Sequence, residues 1–233
     1  MRAMSGWIAF WDSDHSIYVN ARHCDAHYRL LAADICHLVP SAKATVLDFG
    51  CGEALYADRV AATVGRLILS EAAPQVRARL VMRFKDAGKI DVRSPETLSD
   101  LPDQAIDLVI LNSVAQYLTP AEFADILRLF RRLLKPQGLL VVGDVLRPDV
   151  SALTDVVALL RFAGSEGFMG AALIGLVRTV ASDYLRLRSK IGLSRYAEAD
   201  MLAVLTTAGF LATRATTNLG HNPARMTFLA RPA

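Results

Sequence analysis

Nine residues from Val46, VLDFGCGEA, restrict this chain more than any other stretch: a run suited to a buried strand ends in an acid, and two glycines follow one residue apart. Val46, Leu47 and Phe49 favour extended backbone, while Gly50 and Gly52 permit positive φ and close approach of a ligand to the main chain. Helix-forming residues resume from Glu53, so the loop is expected to open a helix whose free N–H groups face whatever lies above the strand. This is the pattern of a nucleotide-cofactor loop.

From Lys43 onward, strand and helix alternate. The pattern predicts strand 46–49, a helix from about 54 to 64, strand 66–70, helix 74–84, a third strand near 90–92 and a fourth at 106–111. An amphipathic helix 120–134, a turn at Lys135-Pro136-Gln137-Gly138 and a buried strand 139–145 follow. The chain resumes with helix 198–208 and two strands, 211–217 and 226–230, joined by a turn at Gly220-His221-Asn222-Pro223. The fold class is α/β, a doubly wound and mostly parallel sheet. One domain over 1–233 is expected, with an N-terminal helical arm over 1–42 (helix at about 21–38) that caps the sheet and a helical insertion over 147–195.

Composition narrows the function classes. The net charge of +3 comes from 26 basic and 23 acidic residues spread along the chain, without the dense basic block that nucleic-acid binding requires. Cys24, Cys36 and Cys51 form no CxxC pair and suggest neither a disulfide framework nor a zinc ribbon, which fits a reducing cytoplasm. The first residues do not read as a signal peptide, and the longest uncharged apolar run, Gly167 to Val177, is shorter than the roughly 18 residues of a spanning helix.

Glu71 stands just past the second strand, 19 residues after Gly52, where a doubly wound fold presents an acid to ribose hydroxyls. A nicotinamide dinucleotide would suit that acid equally well. Its fingerprint, however, requires a third glycine at position 55, and this chain has Leu55.

Together these segments resemble the class I S-adenosylmethionine-dependent methyltransferases over Thr45 to Val145 and, more loosely, Ala197 to Arg231. VLDFGCGEA is similar to that family's first motif, LILSEAA to its ribose-binding second, AIDLVILNSVAQYL to its fourth-strand segment and LLKPQGLLVVGDV to its helix-turn-strand. AEADMLAVLTTAGF and the strands after it resemble the family's last helix and antiparallel final strands, which implies a seven-stranded sheet. The resemblance implies S-adenosylmethionine as cofactor and a small molecule as acceptor. Asp48, with the carbonyls of Gly50 and Gly52 around the small Cys51, would receive the methionine ammonium; Glu71, followed by Ala72, would hold the ribose. Ser94 and Pro95 occupy the adenine-edge position, with Ser where an acid is common, and Asn112 and Ser113 would lie beside the methionyl and sulfonium part. A fold that binds the cofactor without chemistry stays open as an alternative.

Methyl transfer needs mainly in-line placement and exclusion of water, so no obligatory catalytic residue follows. Tyr18, His23 and His27, with Tyr28, are candidates to line or cap the acceptor space, and ordinary packing histidines are the competing reading. His23 and His27 lie one turn apart and can chelate a metal, with His15, Cys24 and Cys36-His37 near in sequence, but no HExxH pattern supports this and no metal site is assigned. Gln116 and Tyr117 either face the acceptor or pack under the next helix; Asp144 either reaches the site mouth or caps the following turn.

The insertion is strongly apolar. Leu153, Val156, Val157, Leu160, Phe162, Phe168, Met169, Leu173, Ile174, Leu176 and Val177 suit an acceptor pocket, a homodimer face or contact with a membrane surface through 148–195. Arg178, Arg186, Arg188, Lys190 and Arg195 would give that surface a basic rim. An amphipathic lid packed on its own sheet accounts for the same pattern.

Overall fold

The computed structural model describes residues 2–13, 18–180 and 192–233. His15, Arg186, Arg188 and Lys190 lie outside the described residues.

Seven strands form one sheet in the order β3-β2-β1-β4-β5-β7-β6: β1 (Thr45–Phe49), β2 (Arg66–Ser70), β3 (Ile90–Arg93), β4 (Ile106–Asn112), β5 (Leu134–Val145), β6 (Phe210–Arg214) and β7 (Met226–Pro232). The first five are parallel, and β7 runs antiparallel to both β5 and β6. Strand order reverses at β1 and β4, which makes their carboxyl ends the crevice where open α/β sheets take ligands.

The central strands read as unbroken apolar runs because both faces are covered. Leu47, Phe49, Val109, Leu111 and Val142 face a core shared with α5 (Pro120–Leu133) and α8 (Glu198–Thr207). Val46, Leu67, Leu69, Leu108 and Ile110 face the opposite core, under α2 (Ala21–Leu38) and α3 (Ala57–Thr63), with Leu80 of α4 (Pro74–Phe84). At α5, Thr119 and Glu122 form a capping box that fixes the helix start, and Pro120 fills the first turn at no hydrogen-bond cost.

Three sequence expectations are corrected. The helix after the glycine loop begins at Ala57, not near Ala54, because Ala54 takes φ +42 and Glu53 gives its N–H to the Tyr28 hydroxyl. The stretch Lys135-Pro136-Gln137-Gly138 is not a separate turn: β5 starts at Leu134, and its register against β4 jumps from Ile106↔Leu134 to Leu108↔Leu139, so the surplus residues bulge out. The N-terminal arm carries a first helix, α1 (Arg2–Trp11), ahead of the anticipated α2.

The insertion contributes α6 (Ala152–Glu166) and α7 (Met169–Val180), which Gly167 links at φ +74. They rest on α2 through a small core of Ala26, Phe162, Ala163, Phe168 and Ala172 and an Arg29–Glu166 ion pair of 2.5 Å, and α6 also meets the connection between β6 and β7 through Asp155 and Phe162. Leu153, Val157, Met169, Leu173 and Ile174 stay exposed.

α1 docks through Trp7, which is 2% exposed with its ring 4.6 Å from Tyr117. Removing so buried a ring costs about 3–5 kcal/mol where the site cannot collapse. Trp7→Ala is therefore expected to bring amide exchange across Arg2–Trp11 close to the unprotected rate while β1 and β4 keep their protection; unchanged exchange in α1 would show that other contacts hold it.

Candidate active site

Between β1 and α3 the loop is bound to the neighbouring strand. Gly50 N–H donates to the Ser70 carbonyl at 2.8 Å, and Gly52 N–H donates to Glu71 Oε2 at 2.9 Å. The other oxygen of that carboxylate, Oε1, accepts from Ala73 N–H at 2.8 Å, while Arg77 donates to the Glu71 and Ala72 carbonyls at 2.7 and 3.1 Å. Both glycines are required. Each has positive φ, and a Cβ would lie 2.5 Å from Val114 Cγ2 at Gly50 and 2.5 Å from the Tyr28 hydroxyl at Gly52.

Asp48 lies in β1 beneath this loop and, with Tyr28, Cys51 and Tyr56, lines part of a cavity of about 20 Å³ whose other walls are apolar side chains of the core under α2 and α3. Burial, and then the Glu71 carboxylate, push its pKa up to about 7, with no cation or hydrogen bond offsetting them. Burial also raises Glu71, against the backbone N–H groups and Arg77 that lower it. The Cys51 thiol is pushed well up by burial and the same carboxylates, so it is no thiolate nucleophile.

At the end of β4, Asn112 is buried with Oδ1 lacking a hydrogen-bond partner. Ser113 and Asp144, on adjacent strand ends, take φ +58 and +56, and Ser113 Oγ donates to Asp144 Oδ2 at 2.7 Å. Two non-glycine residues in the left-handed region side by side store strain of a kind that clusters at functional sites. Burial raises Asp144, and Arg225, Ser113 and His221 lower it. Ser94 stands directly before the 3₁₀ turn Pro95–Asp100, and its hydroxyl holds the Glu96 carboxyl below its usual range. Gln116 is buried with Oε1 unpartnered, while Tyr117 meets Trp7 and Trp11 of α1.

The histidine and tyrosine candidates do converge. Tyr18 lies 5.3 Å from His23, 5.4 Å from His27 and 5.9 Å from Tyr28 between ring centres, and the two phenols are hydrogen-bonded. Burial first, and then neighbouring histidines, lower His23 to about 4 and His27 to about 3. Burial pushes the Tyr18 hydroxyl far up. His221 joins the group, 6.2 Å from both His23 and His27. The sequence reading placed it only in a turn; its one signal was a histidine beside Gly, Asn and Pro between two strands. Among the described residues no three His, Cys, Asp or Glu side chains are arranged to hold a metal ion.

A family model described as "Methyltransferase domain" matches residues 47–142, which span β1 to β5 and the whole glycine loop. Residues 47–142 thus carry a methyltransferase domain. Its sheet is similar to that of Haemonchus contortus phosphoethanolamine N-methyltransferase 1, solved with phosphoethanolamine and S-adenosylhomocysteine, at TM-score 0.64 and 14% identity over 99% of this chain and 49% of that one. It is also similar to the mitomycin 7-O-methyltransferase MmcR (0.56, 20% identity, 86% and 53%) and to the CurJ carbon methyltransferase (0.53, 15%, 84% and 50%). The chain thus spans about half the length of these three proteins. No curated protein sequence matches it.

The methyltransferase residues present suit the cofactor. A close backbone cradle, an uncompensated carboxyl at Asp48 and an orphan amide oxygen at Asn112 match a ligand with an ammonium and N–H donors. A ligand ammonium placed near Asp48 would favour its ionised form, so below about pH 7 binding would also remove the carboxyl proton. Affinity for S-adenosylhomocysteine is expected to drop by up to about tenfold per pH unit below 7, with proton release seen by calorimetry in buffers of different ionisation enthalpy. Affinity that is flat across this range would separate Asp48 from the ligand charge.

Proposed function

We propose that this methyltransferase acts on a small acceptor with an apolar body, held between the strand ends and a roof made of α1, α2, α6 and α7. The path of α1 carries this reading. Its Trp7 and Trp11 pack on Tyr117 beyond β4, and Asp12, just past the helix, accepts the Gln75 N–H beyond β2 at 2.5 Å. In this reading a helix tied to both flanks crosses above the β1 loop and excludes water from a reaction that depends on placement.

In this reading Asp48 and the Gly50 and Gly52 carbonyls take the methionine ammonium, Cys51 keeps the loop slim, and Asn112 and Ser113 flank the methionyl part. Glu71 takes the ribose hydroxyls with the lone pairs its two backbone bonds leave over. Ala72, Ser94 and Pro95 border the adenine. Tyr28 closes the loop by accepting Glu53 N–H, so in this reading cofactor entry displaces the phenol and couples binding to α2. The bound cofactor supplies an electrophilic methyl group; the chain supplies alignment and a dry enclosure.

Glu71→Ala is expected to weaken S-adenosylhomocysteine binding by about 1–3 kcal/mol in calorimetry. The ligand is expected to slow amide exchange in Arg2–Trp11 and Ala21–Leu38, since lids are ordered by what they cover. Equal affinity in the variant would remove Glu71 from the cofactor, and exchange indifferent to ligand would make α1 a tail and not a roof.

A second reading, a lipidic acceptor taken from a membrane surface, is favoured by the exposed Leu153, Val157, Leu173 and Ile174. Among the described residues no helix is long and apolar enough to cross a membrane. Leu173→Glu with Ile174→Glu is expected to abolish any cosedimentation with anionic vesicles; a wild-type chain that stays in the supernatant rules this reading out.

A further inference from the structure

The connection between β6 and β7 is held by three elements. Asp144 N–H of β5 donates to Asn218 Oδ1 at 3.2 Å, and Gly220 N–H donates to Asp34 Oδ2 of α2 at 3.0 Å. Asp155 of α6 accepts from Asn222 Nδ2 at 3.0 Å and from both arms of the Arg225 guanidinium at 3.1 and 2.9 Å. Gly143 lets the connection lie against β5, since a Cβ there would stand 3.1 Å from Leu219 Cβ.

His221 sits within this fixed segment. Its ring stacks on Phe162 at 4.4 Å and 14°, with His23 and His27 edge-on at 6.2 Å. Among the described residues the imidazole has ring contacts and no hydrogen bond. Burial, followed by Arg225, lowers its pKa against the Asp144 and Asp155 carboxylates, so at pH 7 it is neutral and keeps a free lone pair. The ring is only part-buried, and neither nitrogen is engaged by the described residues. Beside it lie Asp144 and the strained end of β5, at the crevice that takes the ligand.

We infer that His221 is a catalytic base and that the acceptor is a planar aromatic compound with a hydroxyl, seated among the rings of Phe162, His27 and Tyr18. This rests on the small-acceptor reading above. The bond formed joins the acceptor oxygen to the methyl carbon; the bond broken is carbon to sulfur, whose electron pair stays on sulfur. The hydroxyl proton passes to the free imidazole nitrogen of His221 and from there to solvent. A neutral imidazole with a depressed pKa suits an acidic hydroxyl, and flat rings suit a flat ligand.

The test compares 4-nitrophenol with its methyl ether, 4-nitroanisole, on the protein saturated with S-adenosylhomocysteine, at a pH where the phenol is un-ionised. Wild type is expected to bind the phenol about tenfold more tightly than the ether, the worth of one hydrogen bond. His221→Phe keeps the stacking and should bind the two equally, with S-adenosylhomocysteine affinity unchanged. Methyl transfer from S-adenosylmethionine to 4-nitrophenol should fall roughly a hundredfold in kcat, with KM within a few-fold. His221→Gln replaces this variant if it fails to fold. No phenol binding by wild type, or equal preference and equal kcat in the variant, overturns the inference; failure of wild type to bind S-adenosylhomocysteine would instead overturn the cofactor reading.

Discussion

The Glu71 carboxylate bridges the loop after β1 and the turn after β2, and the organisation of the site depends on that bridge. It accepts Gly52 N–H with one oxygen and Ala73 N–H with the other, so an acid at the end of one strand fixes the backbone beyond its neighbour. The glycines let the loop lie close enough for this, and Tyr28 closes over the result by accepting Glu53 N–H. Loop, second strand and N-terminal helix therefore move as coupled parts, and a ligand that competes for Glu71 or Tyr28 reaches all three.

Several polar groups around the crevice are held in states that cost stability. Asp48 is raised toward neutrality beside Glu71, Asn112 Oδ1 has no partner, and Ser113 and Asp144 take strained backbone angles on adjoining strands. Elsewhere the sheet is packed with fully buried Leu, Ile and Val. The contrast follows from where an open α/β sheet takes its ligand: the core is satisfied internally, and the strand ends are completed from outside.

Similar sheets occur in an N-, an O- and a carbon methyltransferase, so the sheet does not choose the acceptor atom. In the proposed reading that choice belongs to the segments outside the matched region: the roof helices and the β6–β7 connection, where Tyr18, His27, Phe162 and His221 meet. Their rings bring an apolar surface and neutral imidazoles to a crevice otherwise lined by carboxyls and amides.

The sequence alone determined the sheet and its glycine loop, because buried parallel strands demand continuous apolar runs and a close turn demands glycine, both visible locally as VLDFGCGEA and LILSEAA. Helix α4 was legible to its ends. Misread elements had competing local signals: Lys-Pro-Gln-Gly reads as a turn, yet pairing with β4 absorbs it as a bulge, and α3 starts late because the loop's N–H groups are claimed by Glu71 and Tyr28 from elsewhere in the chain. Only the tertiary structure decided that the insertion rests on α2, that Phe168 is buried while Met169 is exposed, and that His221 joins histidines nearly two hundred positions earlier. Those outcomes depend on side-chain contacts between segments remote in sequence, which no local periodicity encodes.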